Sequence, residues 1–173
     1  DFWMQVPGFD GEFCALTIIA MNNDGYQNLT QIISQAYLRG HVQGRVVIDQ
    51  EWLVTYNEGI LLLSGGREGD VGKALLKGNN TQVESLCEFY QQHFEGRYYL
   101  ELLRTGRTDE ERYLHMAVGL AQEKGIPVVA TNQVVFLKPE DFESHEIRVA
   151  IHDGFTLADP RRPKKYSEQQ YLR

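Results

Sequence analysis

The residues that follow a predicted buried strand are the first candidates for chemistry in this sequence. Residues 128–141 read VVATNQVVFLKPED, where an apolar stretch ends in Thr131, Asn132 and Gln133 before a predicted helix start. Parallel strands of α/β proteins deliver functional side chains at such carboxyl ends. The stretch therefore marks the edge of a candidate site, and the question is which residues would do chemistry there.

A glycine-rich loop at residues 63–72, LSGGREGDVG, is a second candidate because backbone amides in such loops can hold an anion. The loop lacks the Lys-Ser/Thr pair of the P-loop and the glycine spacing of the dinucleotide fingerprint. We therefore favour a tight strand-to-helix turn, in which Asp70 caps a short helix, over a phosphate site.

Five histidines could supply metal ligands or general bases, but none lies in a His-x-His or HExxH arrangement. Each is predicted on a helix or a polar loop, which favours solvated or packing roles. The helix that carries one of them borders the candidate strand end, so that residue is the least clear case. The five are His41, His93, His115, His145 and His152, and the borderline one is His145. Cys14 and Cys87 are predicted to be buried core residues.

Two charged runs complete the candidates. Residues 109–112 read DEER at a predicted helix start, where negative charge complements the helix dipole. Residues 159–165 read DPRRPKK, a basic loop that either contacts phosphate or an acidic partner or is simply solvated.

Alternating strands and helices must position these candidates. Short apolar runs predict four buried strands, and each is followed by one or two helical patterns. The strands are predicted at residues 15–21, 59–64, 97–103 and 126–131. This order implies parallel strands joined by right-handed crossovers. Since four strands do not close a barrel, we expect an α/β fold that is either an open parallel sheet or an arc of a (β/α) barrel.

Capping signals set the predicted helix boundaries. Thr81 with Glu84, and Thr108 with Glu111, have capping-box spacing, and Pro139 suits the first turn of a helix. Asp49 is the predicted cap of a short helix. The remaining helix is predicted at residues 22–40, and residues 167–173 read like the first turns of a further helix.

Composition limits the classes of function. The chain has 173 residues, 42% of them hydrophobic, which suits one soluble globular domain or a piece of one. A net charge of -7 disfavours binding of nucleic acid over the whole surface. No disulfide framework, leader or apolar run of about 18 residues is present, so a cytoplasmic setting without a membrane is expected. The abrupt ends suggest a segment excised from a longer chain.

Several segments resemble the amino-terminal PHP (polymerase and histidinol phosphatase) domain of bacterial DNA polymerase III α subunits. They are NNDGYQNLTQIISQAYLRG, ILLLSGGREGDVG, YYLELLRTGRTDEERYLHMAVGLAQEKGIPVVATN and SHEIRVAIHDGFTLADPRRPKKYS. The resemblance covers nearly the whole chain and implies a partial, distorted, TIM-like (β/α) barrel. Residues 1–173 would form a single PHP domain truncated at both ends, with about 158–173 as a basic connecting loop and a helix start.

The resemblance also implies a metal site, because the family can hold up to three metal ions for phosphoester hydrolysis. Its Asp-x-His pair after the fourth strand corresponds here to Gln133 and Val135, which are poor ligands. Family histidines correspond to Thr105 and Ala15, and Asp1 alone keeps a carboxylate. The comparison therefore implies a degenerate site, with no catalytic, cofactor-binding or metal-binding residue in the segment. Mg is expected only for the polymerase to which the segment belongs.

The resemblance favours a non-catalytic segment of a DNA-directed DNA polymerase, a nucleotidyltransferase of DNA replication. In the family such a domain braces the polymerase and docks the proofreading exonuclease subunit. Other replicase subunits, and DNA reached through the polymerase, are further expected partners. The alternative is an active metal-dependent phosphoesterase or 3′–5′ exonuclease that uses other ligands, such as His145 or His152. A small-molecule-binding flavodoxin-like domain is disfavoured because no cofactor fingerprint is present.

Overall fold

A computed structural model describes residues 1–9 and 11–172. The backbone divides into two compact units. Unit 1 comprises Asp1–Leu102 and Arg112–Val129, and unit 2 comprises Leu103–Glu111 and Ala130–Arg173. That all of residues 1–173 belong to one domain stays a prediction.

The described residues contain a seven-stranded sheet in the order β3-β4-β1-β2-β5-β6-β7. The strands are β1 (Phe2–Gln5), β2 (Phe13–Ala20), β3 (His41–Val42), β4 (Arg45–Ile48), β5 (Ile60–Leu63), β6 (Tyr98–Leu103) and β7 (Val128–Thr131). All four predicted strands are present as β2, β5, β6 and β7. The strands β1, β3 and β4 were missed because they are only two to four residues long, although β1 (FWMQ) and β4 (RVVI) each contain three consecutive apolar residues.

Strand direction differs from the all-parallel prediction at β2. Strands β5 and β6 pair in parallel, as expected, but β2 runs antiparallel to both β1 and β5. Buried residues alternate along β2 instead of filling both faces. The difference arises because an apolar run indicates burial and not direction, and because a short link allows antiparallel pairing of β1 with β2. The predicted class, an α/β fold of partial-barrel type, is confirmed.

The described residues contain six α-helices, of which the first five lie between strands and the sixth follows β7. They are α1 (Asn23–Arg39), α2 (Gln50–Thr55), α3 (Asp70–Lys77), α4 (Asn80–His93), α5 (Glu110–Lys124) and α6 (Phe142–Asp153). Short 3-10 turns at Gly66–Glu68 and Pro139–Asp141 precede α3 and α6. Within the described residues, no helix is long and apolar enough to cross a membrane.

Three predicted helix caps are corrected by the structure. Helix α5 begins at Glu110, and Asp109 before it has φ 64, so the predicted cap Thr108 does not directly precede the helix. Helix α4 begins before Thr81, because the Asn79 side chain accepts a hydrogen bond from the Gln82 backbone at 3.2 Å. Asn is a stronger cap than Thr, so the earlier start is favoured. Helix α3 is capped by Gly69 while Asp70 is its first residue. The predicted cap Asp49 is confirmed, since its carboxylate accepts from Glu51 N–H at 2.9 Å.

The hydrophobic core of unit 1 lies between the sheet and its helices. Its largest fully buried side chains include Met4, Phe9, Leu16, Ile32, Ile48, Leu53, Ile60, Leu62, Tyr90, Phe94, Leu100 and Tyr113. Cys14 and Cys87 are free thiols in this core, as predicted. Burial raises the pKa of Cys14 to about 12 and that of Cys87 to about 11. Both are therefore inert, small apolar residues.

Helix α1 approaches the turn before β5 so closely that only glycine fits. A Cβ atom on Gly25 would lie 1.8 Å from the carbonyl oxygen of Gly59. Gly59 itself has φ +67, in the left-handed region that favours glycine. This glycine pair sets how near α1 packs to the sheet.

Candidate functional site

Two of the five predicted ligand positions belong to unit 1. The Asp1 carboxylate accepts a hydrogen bond from Thr17 Oγ1 at 2.7 Å. Ala15 lies in β2, where it is paired with Trp3 of β1. Its methyl group offers no donor atom to a metal.

The glycine-rich loop packs directly on the backbone near Ala15. A Cβ on Gly65 would lie 2.3 Å from the Ala15 carbonyl oxygen, and a Cβ on Gly69 would lie 1.7 Å from that of Ser64. The glycines are therefore required by close approach of the chain to itself. This geometry supports the interpretation of the loop as a tight strand-to-helix turn.

Unit 1 also contains a buried acid, Asp70, whose side chain is fully enclosed. Its Oδ2 accepts from the Tyr90 hydroxyl at 2.6 Å and its Oδ1 accepts from Val71 N–H at 2.7 Å. Burial raises the pKa of Asp70 to about 6, although both hydrogen bonds act to lower it. Tyr90 stacks on Tyr98 with ring centroids 4.0 Å apart and an interplanar angle of 2°. Because no substrate could reach this carboxylate, its role is structural.

The other three predicted positions lie in unit 2, just after β6 and β7. Thr105 follows β6, and Gln133 and Val135 follow β7. The Val135 N–H donates to the Gln170 carbonyl at 2.9 Å. The Ser167 hydroxyl donates to the Thr105 carbonyl. Residues 167–172 thus contact all three positions, directly or through one neighbour.

Thr105 donates two hydrogen bonds to the carboxylate of Glu110. Its hydroxyl donates to Glu110 Oε1 at 2.6 Å and its backbone N–H donates to Glu110 Oε2 at 2.6 Å. Both residues are buried, with exposures of 1% and 3%. Glu110 was assigned to a charged helix start, whereas the structure buries it as the acceptor of this turn.

Gln133 is held by two donors. Its Oε1 accepts from Arg107 Nη1 at 3.1 Å and from Gln170 Nε2 at 3.3 Å. A carboxamide oxygen has two lone pairs, so both are used within the chain. Val135 adds only a backbone N–H to this region.

This donor set does not fit the metal cluster that a PHP fold can carry. A divalent ion needs free oxygen, nitrogen or sulfur lone pairs. The Gln133 amide oxygen has both of its lone pairs engaged, and the Val135 side chain has none. The Thr105 hydroxyl is a neutral oxygen that donates its only hydrogen to the buried Glu110. The guanidinium of Arg107 beside Gln133 would further repel a cation. Across residues 1–9 and 11–172, no group of three or more His, Cys, Asp and Glu is arranged to hold a metal ion.

His145 packs in an aromatic pocket of unit 2. Its ring lies 4.7 Å from that of Tyr166, edge to face, and 5.6 Å from that of Phe136. Burial, with a smaller effect of the nearby Arg148, lowers its pKa. The packing role favoured from the sequence is supported, while His152 is exposed and contacts Asp153 at 3.2 Å.

Three of the four basic residues in the loop at residues 159–165 pair with carboxylates of unit 2. Arg162 pairs with Glu146 at 2.6 Å, and both side chains are at most 9% exposed. Arg161 pairs with Asp159 at 2.8 Å and Lys165 pairs with Asp153 at 2.6 Å. These cations are used to hold the loop, which weakens the interpretation as a phosphate-binding surface.

Sequence reasoning missed the residues that organise this strand end. Gln170 is fully buried although it lies in the polar stretch SEQQYLR. Residues 167–172 form a turn and an isolated bridge from Phe136 to Tyr171, and no helix begins among them. The predicted helix start is wrong because these backbone groups bond to the segment after β7. No local pattern could have shown this long-range pairing.

An open mixed sheet with helices between its strands, and polar side chains after β6 and β7, fits a partial barrel of the (β/α) class. The sequence identifies the family within this class. The chain belongs to the PHP domain family, whose model matches residues 1–105.

Curated relatives match along the full chain. The DNA polymerase III subunit alpha of Vibrio cholerae is 62% identical over 173 residues, which is 100% of this chain and 15% of the relative. The subunits of Escherichia coli K12 and Pseudomonas aeruginosa are 58% and 44% identical over the same 173 residues and 15% of their length. The chain thus spans about one seventh of the relatives it matches.

Proposed function

We propose that this chain is the PHP segment of a bacterial DNA polymerase III α subunit and that it has no catalytic activity of its own. Support for the parent comes from the full-chain identity to subunits of that name. Such a parent would be a DNA-directed DNA polymerase, a nucleotidyltransferase that uses Mg in the cytoplasm. Its contact with DNA would be made through the rest of that polypeptide.

The observation that carries the non-catalytic proposal is the occupied oxygen of Gln133. With Arg107 and Gln170 both donating to it, this position offers no free lone pair to a metal. The Val135 side chain has no donor atom, and the Thr105 hydroxyl is a neutral, weak ligand that is held against Glu110. The hydrolysis known for the family needs a metal to activate the attacking water, so it could not occur at this strand end.

Metal analysis of the full-length protein tests this proposal. We expect no stoichiometric zinc or manganese beyond that held by the polymerase site, and no degradation of a primer 3′ end once the polymerase aspartates are substituted. Stoichiometric metal with loss of 3′ nucleotides would instead support an active PHP phosphoesterase. His145 and His152 are poor candidates for that activity, because one is packed among aromatic rings and the other is exposed beside Asp153.

In place of catalysis, we propose that the segment braces the polymerase and docks the proofreading exonuclease subunit, alongside other replicase subunits. The support is indirect: a well-packed fold is retained where the metal ligands are not. Calorimetric titration of the full-length protein with the exonuclease subunit should show saturable heat, and chemical cross-links should map to residues 1–173. Saturable binding with every cross-link outside this chain would overturn the docking proposal.

A further inference from the structure

Residues 167–172, called the strap below, pair with the segment that follows β7. Val135 N–H donates to the Gln170 carbonyl at 2.9 Å, and Leu172 N–H donates to the Phe136 carbonyl at 3.2 Å. Asn132 Nδ2 donates to the Tyr171 carbonyl at 2.7 Å. The strap is therefore held through its backbone along most of its length.

The side chain of Gln170 is the buried centre of this contact. Its Oε1 accepts from Ser167 N–H at 2.9 Å. Its Nε2 donates to the backbone oxygen of Gln133 at 3.3 Å and to Oε1 of the same residue at 3.3 Å. Both ends of a fully enclosed amide are thus satisfied, as buried polar groups require.

These bonds close into a ring that lies wholly in unit 2. From Gln170 the connections run to Ser167, then to the carbonyl of Thr105, and from Thr105 to Glu110. Arg107 closes the ring, because its backbone N–H donates to Glu110 at 3.2 Å and its guanidinium donates to Gln133, which is bonded to Gln170. The ring consists of Thr105, Arg107, Glu110, Gln133, Ser167 and Gln170. It holds one carboxylate and one guanidinium, so its formal charges cancel.

We propose that the ring is a metal-independent cross-link between the segments that follow β6 and β7, and that Gln170 is its central positioning residue. The proposal rests on the proposed function in one respect, the absence of a metal at this strand end. A metal joins several segments by accepting their lone pairs. The ring joins the same kinds of segment with amide, hydroxyl and guanidinium donors aimed at internal acceptors.

Substitutions of two residues that share a hydrogen bond in the ring should have non-additive effects. If Gln170 acts through Gln133, removing Gln133 after Gln170 should change exchange less than removing Gln133 alone, because the shared bond is already lost and only the bond from Arg107 remains to be broken. A residue that only filled space would give independent effects. The readout is amide hydrogen exchange of residues 132–136 and 167–172 in the full-length protein.

Gln170→Ala should accelerate exchange of both segments about tenfold or more, since it leaves buried partners unsatisfied. Gln133→Ala should accelerate it as well, and the acceleration in the double variant should be smaller than the product of the two single accelerations. Glu168→Ala, at an exposed neighbouring position, is the matched control and should stay within about twofold of the wild type. Peptides from β5 in unit 1 report whether each variant is folded.

The ring is not a cross-link if the acceleration of exchange in the double variant equals the product of the two single accelerations. An unchanged exchange rate in Gln170→Ala would also overturn it. If Gln170→Ala does not fold, Gln133→Asn provides a milder change, and it should accelerate exchange of the strap in the same direction. An unchanged strap in that variant counts against the proposal equally.

Removal of metal ions with EDTA distinguishes failure of the ring from failure of the proposed metal-free function. EDTA should leave exchange of the wild-type strap unchanged. Faster exchange after EDTA would show a bound metal and defeat both the ring and the metal-free function. If neither EDTA nor the Gln170→Ala substitution changes the exchange rate of the strap, the ring is overturned while the metal-free function stands.

Discussion

Thr105 and Glu110 are joined by two hydrogen bonds of 2.6 Å, one from the hydroxyl and one from the backbone N–H of Thr105. Glu110 also accepts from the N–H of Arg107 at 3.2 Å. A buried carboxylate with three donors stabilises the turn between β6 and α5. The residue after β6 is thereby bound to its own chain.

Replacing this carboxylate should weaken the turn. Glu110→Gln keeps the shape but exchanges one acceptor oxygen for an NH2 group, so a buried donor faces another donor. We expect a loss of about 2 to 3 kcal/mol in the local free energy of unfolding. Glu111→Gln is the control, because its pair with Arg104 is exposed to solvent and should contribute little to stability. Hydrogen exchange of residues 103–109 measures both, and equal effects would contradict the prediction.

The ion pair of Arg162 with Glu146 should be sensitive to loss of one partner. Arg162→Met would leave a carboxylate that is 8% exposed without its cation, at a cost of about 3 to 5 kcal/mol. The neighbour Arg161 pairs with Asp159 while 82% exposed, so Arg161→Met should change stability far less than Arg162→Met. The double variant Glu146→Leu with Arg162→Met should recover most of the loss. Resistance of unit 2 to limited proteolysis distinguishes these outcomes.

Asp70 should make the stability of unit 1 depend on pH. Its pKa is about 6 in the folded chain and near 3.8 when unfolded, so the folded state holds the proton more tightly. Stability from this group is therefore greatest below the unfolded pKa, declines as pH rises toward about 6, and is flat above. Asp70→Asn should remove this decline, so the stability of the variant relative to the wild type should be about 2 kcal/mol greater at pH 7 than at pH 4. Hydrogen exchange of α3 and α4 across this pH range measures it.

Tyr90→Phe should act in the opposite sense at the same site. It removes the hydroxyl that donates to Asp70 at 2.6 Å, so the ionised carboxylate loses a partner. The expected cost is about 1 to 3 kcal/mol near neutral pH and less below pH 5. In an Asp70→Asn background the loss should be smaller, and a pH-independent cost would show that the bond does not involve the charge.

Two helical glycines should respond oppositely to alanine. Gly25→Ala would drive a Cβ to 1.8 Å from the Gly59 carbonyl and should cost about 1 to 3 kcal/mol or more. Gly119, inside α5, has nothing within 4 Å of the same position. Gly119→Ala should therefore stabilise by about 0.5 to 1 kcal/mol through helix propensity. Urea midpoints from pulse proteolysis compare the two, and a shared sign would contradict the packing argument.

The sequence was informative wherever a local pattern decided the structure. Apolar runs located β2, β5, β6 and β7, and the carboxylate of Asp49 marked the start of α2. It was uninformative about strand direction, because a buried alternation reads the same in either orientation. It also failed at Gln170, whose burial depends on Gln133, a partner 37 residues away. A glutamine in a polar stretch predicts a surface, and only the tertiary fold encloses it.

The stacked pair of Tyr90 and Tyr98 gives unit 1 an optical signature. Two phenol rings held nearly parallel at 4.0 Å couple their electronic transitions, which a flexible pair would average away. Near-ultraviolet circular dichroism depends on such fixed packing. Since both rings lie in unit 1, that signal can follow its melting without any introduced label.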